Sequence, residues 1–196
     1  MKKNEGKYFY TASLMNQALL DLLEKKDIDF ISVTEITKKA GVNRSTFYLH
    51  YDNIYELLDE TIENTNKKFA DAMSIKAPFQ ISTKKEAFLL TDDFLISYLE
   101  FCKEHKQILK LAHKRPNLFR NKDVYQRMYE AIFYPAISQF VKAENDRIYM
   151  LEFFTHGVVA VINKWVELDC VAPMQEIVRI INKCVDYDIN EKESKG

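Results

Sequence analysis

Arg44, Ser45, Thr46, Tyr48 and Leu49 lie within one short stretch of chain and bring three kinds of chemistry. The guanidinium is a forked cationic donor, the hydroxyls donate or accept single hydrogen bonds, and the leucine is an apolar tip. Groups of these types on one helix suit the base edges of a DNA major groove, where hydrogen bonds and thymine-methyl contacts discriminate sequence. No competing catalytic set stands out. The chain has no Gly-rich phosphate loop, no G-x-S-x-G and no H-E-x-x-H. Its four histidines lack metal-ligand spacing. No metal, cofactor or enzymatic activity is therefore expected.

Those side chains need two short helices to hold them. Ser32 and Glu35 have the spacing of a capping box, which starts a helix at Val33. Ile36 and Ala40 lie one turn apart on its inner face. Gly41 stands where a left-handed C-cap residue is needed, and Val42 can fold back as the apolar contact of that cap. Asn43 then caps a second helix. Phe47 and Tyr51, one turn apart, would pin that helix to the first. At about 100° per residue, Ser45 and Leu49 then point away from Phe47, with Thr46 and Tyr48 beside them. Two helices, a glycine turn and a shared apolar seam make a helix-turn-helix.

The segment G-V-N-R-S-T-F-Y-L-H-Y, with an S-V-T-E-I helix before it and Y-E-L-L after it, resembles the DNA-binding domain of the tetracycline-repressor (TetR/AcrR) family. The resemblance covers roughly residues 11–58. It implies that Arg44, Ser45, Thr46 and Leu49 face base edges or nearby backbone, that Tyr48 and His50 touch phosphates, and that Thr34 sits at the groove edge with Lys38 nearby. Family members commonly carry a Lys shortly after the aromatic matching Tyr51; here that position is Ile54, beside Asp52 and Asn53. Lys2, Lys3 and Lys7 could supply the missing attraction to phosphate.

Composition agrees with an all-α reading. The 196 residues are 47% hydrophobic and 29% charged, as in a folded globular protein, and 4 Gly and 4 Pro are too few for a many-turned β fold. The net charge of −1 does not by itself point to nucleic acid. Residues 1–51, however, hold eight Lys or Arg against six Asp or Glu, and the remainder 20 against 23. Cys102, Cys170 and Cys184 form no C-x-x-C and read as reduced thiols. No apolar run follows the basic N-terminus and none reaches the length of a membrane span, so a cytoplasmic protein without membrane contact is expected.

Helical periodicity runs over 10–26, and again from an N-cap at Asp52 through Tyr55, Leu58, Ile62, Phe69 and Met73 to about residue 74. A capping box at Thr83–Glu86 opens a helix to about His105. A short helix follows at 106–113, then longer ones at 118–141, which Pro135 should kink or split, and at 145–169, and Pro173 opens the last helix. Arg115-Pro116-Asn117 reads as a turn. The expected organisation is a three-helix, homeodomain-like helix-turn-helix head over 1–52, a connecting helix and junction over 53–82, a larger helical bundle over 83–190, and a disordered tail at 191–196.

The bundle is rich in aromatics. By resemblance it would hold a ligand pocket, with Phe94, Tyr98, Phe101, Tyr125, Tyr129, Phe133 and Phe153 as candidate lining. Phe154, Gly157, Val158, Val161 and Trp165 make one apolar stripe, and Ile177, Ile180, Ile181 and Cys184 another. So wide an apolar arc suits a four-helix interface between two copies. The expected protein is a sequence-specific, ligand-responsive repressor that binds a palindromic double-stranded operator as a homodimer. Two alternatives stay open: an activator or regulator whose body receives a protein partner, and a helical small-molecule-binding protein or enzyme.

Overall fold

The computed structural model describes residues 2–74, 91–119, 138 and 141–189. Every regular element among them is helical. In chain order these are α1 (Lys2–Leu23), a 3-10 turn (Ile28–Phe30), α2 (Val33–Ala40), α3 (Arg44–His50), α4 (Ile54–Ser74), α5 (Asp92–Glu104), α6 (Lys106–Lys114), α7 (Pro116–Phe119), α8 (Glu144–Glu167) and α9 (Met174–Ile189). The chain divides into two compact units, Met1–Lys67 and Lys68–Gly196. The division falls inside α4. Leu57, Leu58 and Thr61 are buried in the first unit, whereas Phe69 belongs to the core of the second.

In the first unit, α1 buries Ala12, Met15, Ala18, Leu19 and Leu23. Leu14 and Leu22, beside that stripe, are half-buried. The helix also starts well before residue 10. Ile36 and Ala40 of α2, Phe47 of α3, then Tyr51, Leu57 and Leu58 complete the core. Polar ties hold α2 in place: Lys39 reaches Asp21 of α1 at 2.9 Å, and Lys26 reaches Glu35 at 2.5 Å. Two local expectations change. The cap of α4 is Asn53, whose Oδ1 accepts from the amides of Tyr55 and Glu56, and not Asp52. Tyr55 lies outside the core, because its hydroxyl donates to Asp29 at the surface.

In the second unit, Phe94, Leu95, Leu99, Phe101 and Cys102 of α5 pack with Leu151, Ile162, Trp165 and Val166 of α8 and Ile177, Val178 and Ile181 of α9. Thr91 caps α5 by accepting from the Phe94 amide, so that helix begins at Asp92 and does not run unbroken from Thr83, which lies outside the described residues. Asp92 accepts from Asn182 of α9 at 2.8 Å. The backbone leaves helical geometry at His105, and Pro116 starts the one-turn α7 where a turn was expected. The helix expected over 118–141 lies almost wholly outside the described residues.

The Gly41 turn generates the first prediction. Its φ of 67° is left-handed, and an added Cβ would meet nothing within 4 Å, so the cost of a side chain is backbone strain alone. Gly41→Ala is expected to destabilise the first unit by about 1 kcal/mol. Urea unfolding should show this as a lower midpoint at unchanged slope.

Candidate nucleic-acid interface

The helix-turn-helix is built from its caps inward. The Ser32 hydroxyl accepts from the Glu35 amide at 3.3 Å, and the Glu35 carboxylate accepts from the Ser32 amide at 3.0 Å. Both halves of the capping box are thus made. At the other end of α2, the amides of Gly41 and Val42 both donate to the Thr37 carbonyl. This closes the left-handed cap and turns the chain directly into α3. Asn43 has the extended backbone of an N-cap (φ −80°, ψ 153°), but its side chain makes no capping bond. The expected position is right and the expected bond is absent.

Phe47 and Tyr51 anchor α3. Both are buried, with ring centroids 5.7 Å apart, and the Tyr51 hydroxyl donates to Glu60 of α4 at 3.0 Å. Burial and the Glu60 carboxylate push the Tyr51 hydroxyl's pKa upward, so it stays a neutral donor. With this side fixed, the opposite side of α3 faces solvent. Arg44, Ser45, Tyr48 and Leu49 are exposed and Thr46 is half-buried. Leu49 is 79% exposed, although it is as apolar as the leucines of the core. Thr34 and Lys38 of α2 are exposed as well.

Two of the expected contacts have local company. Arg44 lies back along α3: Nη2 donates to the Tyr48 hydroxyl at 3.4 Å, and Cζ stands 5.7 Å from the Tyr48 ring centroid. At an exposed site such a cation–π contact is worth roughly 0.5–1 kcal/mol, little enough to give up for a base. His50 is half-buried and stacks on Tyr8 of α1, with centroids 3.9 Å apart and planes 18° from parallel. Desolvation lowers its pKa, outweighing the opposite pull of Glu60. At neutral pH the His50 ring is therefore uncharged.

Pattern reasoning missed Tyr8, Lys26, Asp29 and Glu60. Each works through a partner at least nine residues away, beyond the reach of helical spacing. Three of the body's candidate pocket residues belong to one cluster. Phe94 and Phe101 are core, and Tyr98 packs beside Phe69 at 5.4 Å. Phe153 is exposed, and Tyr125, Tyr129 and Phe133 lie outside the described residues. Of the candidate interface set, Trp165, Ile177 and Ile181 are buried in their own unit's core, and the Trp165 Nε1 donates to the Ala172 carbonyl at 2.8 Å. Val158, Val161 and Ile180 are half-buried, Gly157 and Cys184 are exposed, and the Phe154 side chain is outside the described residues. Among the described residues, no group of His, Cys, Asp and Glu could hold a metal, and no helix is long and apolar enough to cross a membrane.

Residues 17–61 match the family described as bacterial regulatory proteins, tetR family, and residues 91–187 match one described as transcriptional regulator C-terminal region. The chain is 30% identical over 118 residues to the uncharacterized HTH-type transcriptional regulator YxbF of Bacillus subtilis (strain 168). That stretch is 58% of this chain and only 29% of YxbF. It is 26% identical over 165 residues to the uncharacterized HTH-type transcriptional regulator YvdT of the same organism, covering 84% of this chain and 76% of that protein. Among solved structures, the dihydroxyacetone kinase operon activator DhaS shares the fold with a TM-score of 0.55. The identity is 16%, over 90% of this chain and 97% of that one.

The capping box makes folding pH-dependent. Hydrogen bonds from Lys26, then from Ser32, lower the Glu35 pKa from 4.5 to about 2. The folded state thus prefers the ionised form, and its contribution is complete above 4.5 and fades as the pH falls toward 2. In Glu35→Gln, the stability deficit against the parent should be constant above pH 5 and shrink below about 4.5. Unfolding midpoints measured across that range check this.

Proposed function

The chain belongs to the tetR family of bacterial regulatory proteins, and from that premise we propose that it is a ligand-responsive repressor binding a two-fold symmetric operator as a homodimer. Members of the family are DNA-binding transcription regulators and not enzymes. The observation that carries the DNA-reading role is the outer side of α3. Its hydroxyls, its guanidinium and the 79%-exposed Leu49 have no part in the core, and Phe47 and Tyr51 hold them outward. Arg44, Ser45, Thr46 and Leu49 would read bases; Thr34, Lys38, Tyr48 and neutral His50 would meet the backbone.

The dimer reading rests on α8. Tyr149, Phe153 and Gly157 follow at four-residue spacing on an exposed face, with Ile148 beside them. A second copy would cover that apolar face, together with half-buried Val158, Val161 and Ile180. A dimer would set two α3 helices about 34–36 Å apart along one side of the DNA. The effector reading rests on the aromatic body and on α4, which supplies Leu57 and Leu58 to one core and Phe69 to the other. A small molecule that repacks the surroundings of Phe69 would act on α3 through that helix. A second reading, as an activator, is favoured by DhaS, a neighbour of the same fold that is an operon activator.

Selection from random duplexes tests the core of the proposal. The selected sequences should form a two-fold repeat with half-sites about one helical turn apart, whereas an unstructured pool would refute it. On the selected site, Arg44→Ala should relax preference at particular bases by about 1–3 kcal/mol if Arg44 reads a guanine. Tyr48→Phe should weaken selected and random duplexes alike. Binding titrations on both duplexes distinguish the two effects.

A further inference from the structure

The loop between α8 and α9 holds apolar side chains out to solvent at a cost in backbone strain. Asp169 and Cys170 both take left-handed backbone, at φ 60° and 56°, where L side chains are disfavoured. Three bonds fix the loop there. The Asp169 amide donates to the Val166 carbonyl, the Cys170 amide donates to the Trp165 carbonyl at 2.9 Å, and the buried Trp165 ring donates to Ala172 from below. Cys170 is turned into the core, and Leu168 and Val171 on either side are turned out, 58% and 82% exposed.

Lysines surround this knuckle. Lys106 and Lys110 both reach Asp169, at 3.3 and 2.8 Å, and Lys164 pairs with Glu167 at 3.0 Å. Lys103 is exposed, and its charge acts on Cys170 together with those of Lys106 and Lys110. Four lysines thus face two carboxylates, which leaves a positive surplus around two apolar knobs.

We propose that this basic-rimmed knuckle, Leu168 and Val171 ringed by Lys103, Lys106 and Lys110, docks an acidic protein segment that carries apolar side chains. Apolar knobs give such a segment area to bury, and the surplus lysines give it charge complementarity and orientation. The surface is distinct from the outer side of α3, and the inference does not depend on DNA binding.

The test is selection of a displayed random-peptide library on the full-length chain at moderate salt. Enriched peptides should combine Asp or Glu with Leu, Ile or Phe. Their affinity should fall about tenfold or more in Leu168→Ser/Val171→Ser and in Lys103→Glu/Lys106→Glu. Lys110 is retained to hold Asp169, and unchanged thermal unfolding of both variants confirms that the loop's support is intact. No enrichment, enrichment of peptides without acidic residues, or binding indifferent to both variants would overturn the proposal. So would a fall in the sedimenting mass of Leu168→Ser/Val171→Ser, which would give the knuckle to a second copy. A fall in duplex DNA affinity of Lys103→Glu/Lys106→Glu would give it to DNA and overturn it equally.

Discussion

At Gly41 the backbone takes φ 67° and ψ 30°, and the amides of Gly41 and Val42 converge on one carbonyl, that of Thr37. That reversal sets the direction in which α3 leaves α2. It puts Phe47 and Tyr51 against the first core, and so puts Arg44, Ser45, Tyr48 and Leu49 on the far side. The Ser32–Glu35 box fixes the other end of α2, and Lys26 and Lys39 tie the helix down by ion pairs. An outward-facing polar helix is costly to leave unsupported. Here its support is a turn only a glycine makes cheaply and two buried aromatic rings.

Local patterns in the sequence carried this head almost completely. The capping box, the glycine and the Phe47–Tyr51 spacing each specify geometry within one or two turns, and each is made as its spacing implies. What was not legible crosses the sequence. Tyr8 on His50, Asp29 on Tyr55 and Glu60 on Tyr51 join residues far apart in the chain or on different helices. They change the surroundings of the site: Tyr8 covers one face of the His50 ring, and Asp29 accepts from the Tyr55 hydroxyl at the surface. Asn53 displaced Asp52 as a cap because both are good capping residues and only the backbone path decides between them.

The second unit shows the opposite balance. Apolar helical stripes announce that something is buried without saying against what. Trp165, Ile177 and Ile181 looked suited to a partner helix, yet α5 supplies the partner within the same unit. Among the described residues of this unit, exposed large apolar side chains lie elsewhere, at Ile148, Tyr149 and Phe153 of α8 and at Leu168 and Val171 at its end. Periodicity places a residue on a face, but only the packed neighbours decide whether that face looks inward. A short motif specifies the head, whereas the packing of the body follows from tertiary contacts.

The most direct measurement is fluorescence-anisotropy titration of the purified chain with DNA from upstream of its own gene, beside a scrambled duplex, at two salt concentrations. The account predicts tight binding to the upstream DNA, weaker binding to the scramble, and a preference that persists when salt weakens both. Weak binding, equal on the two duplexes and lost together with salt, would contradict a base-reading role for α3 at that site.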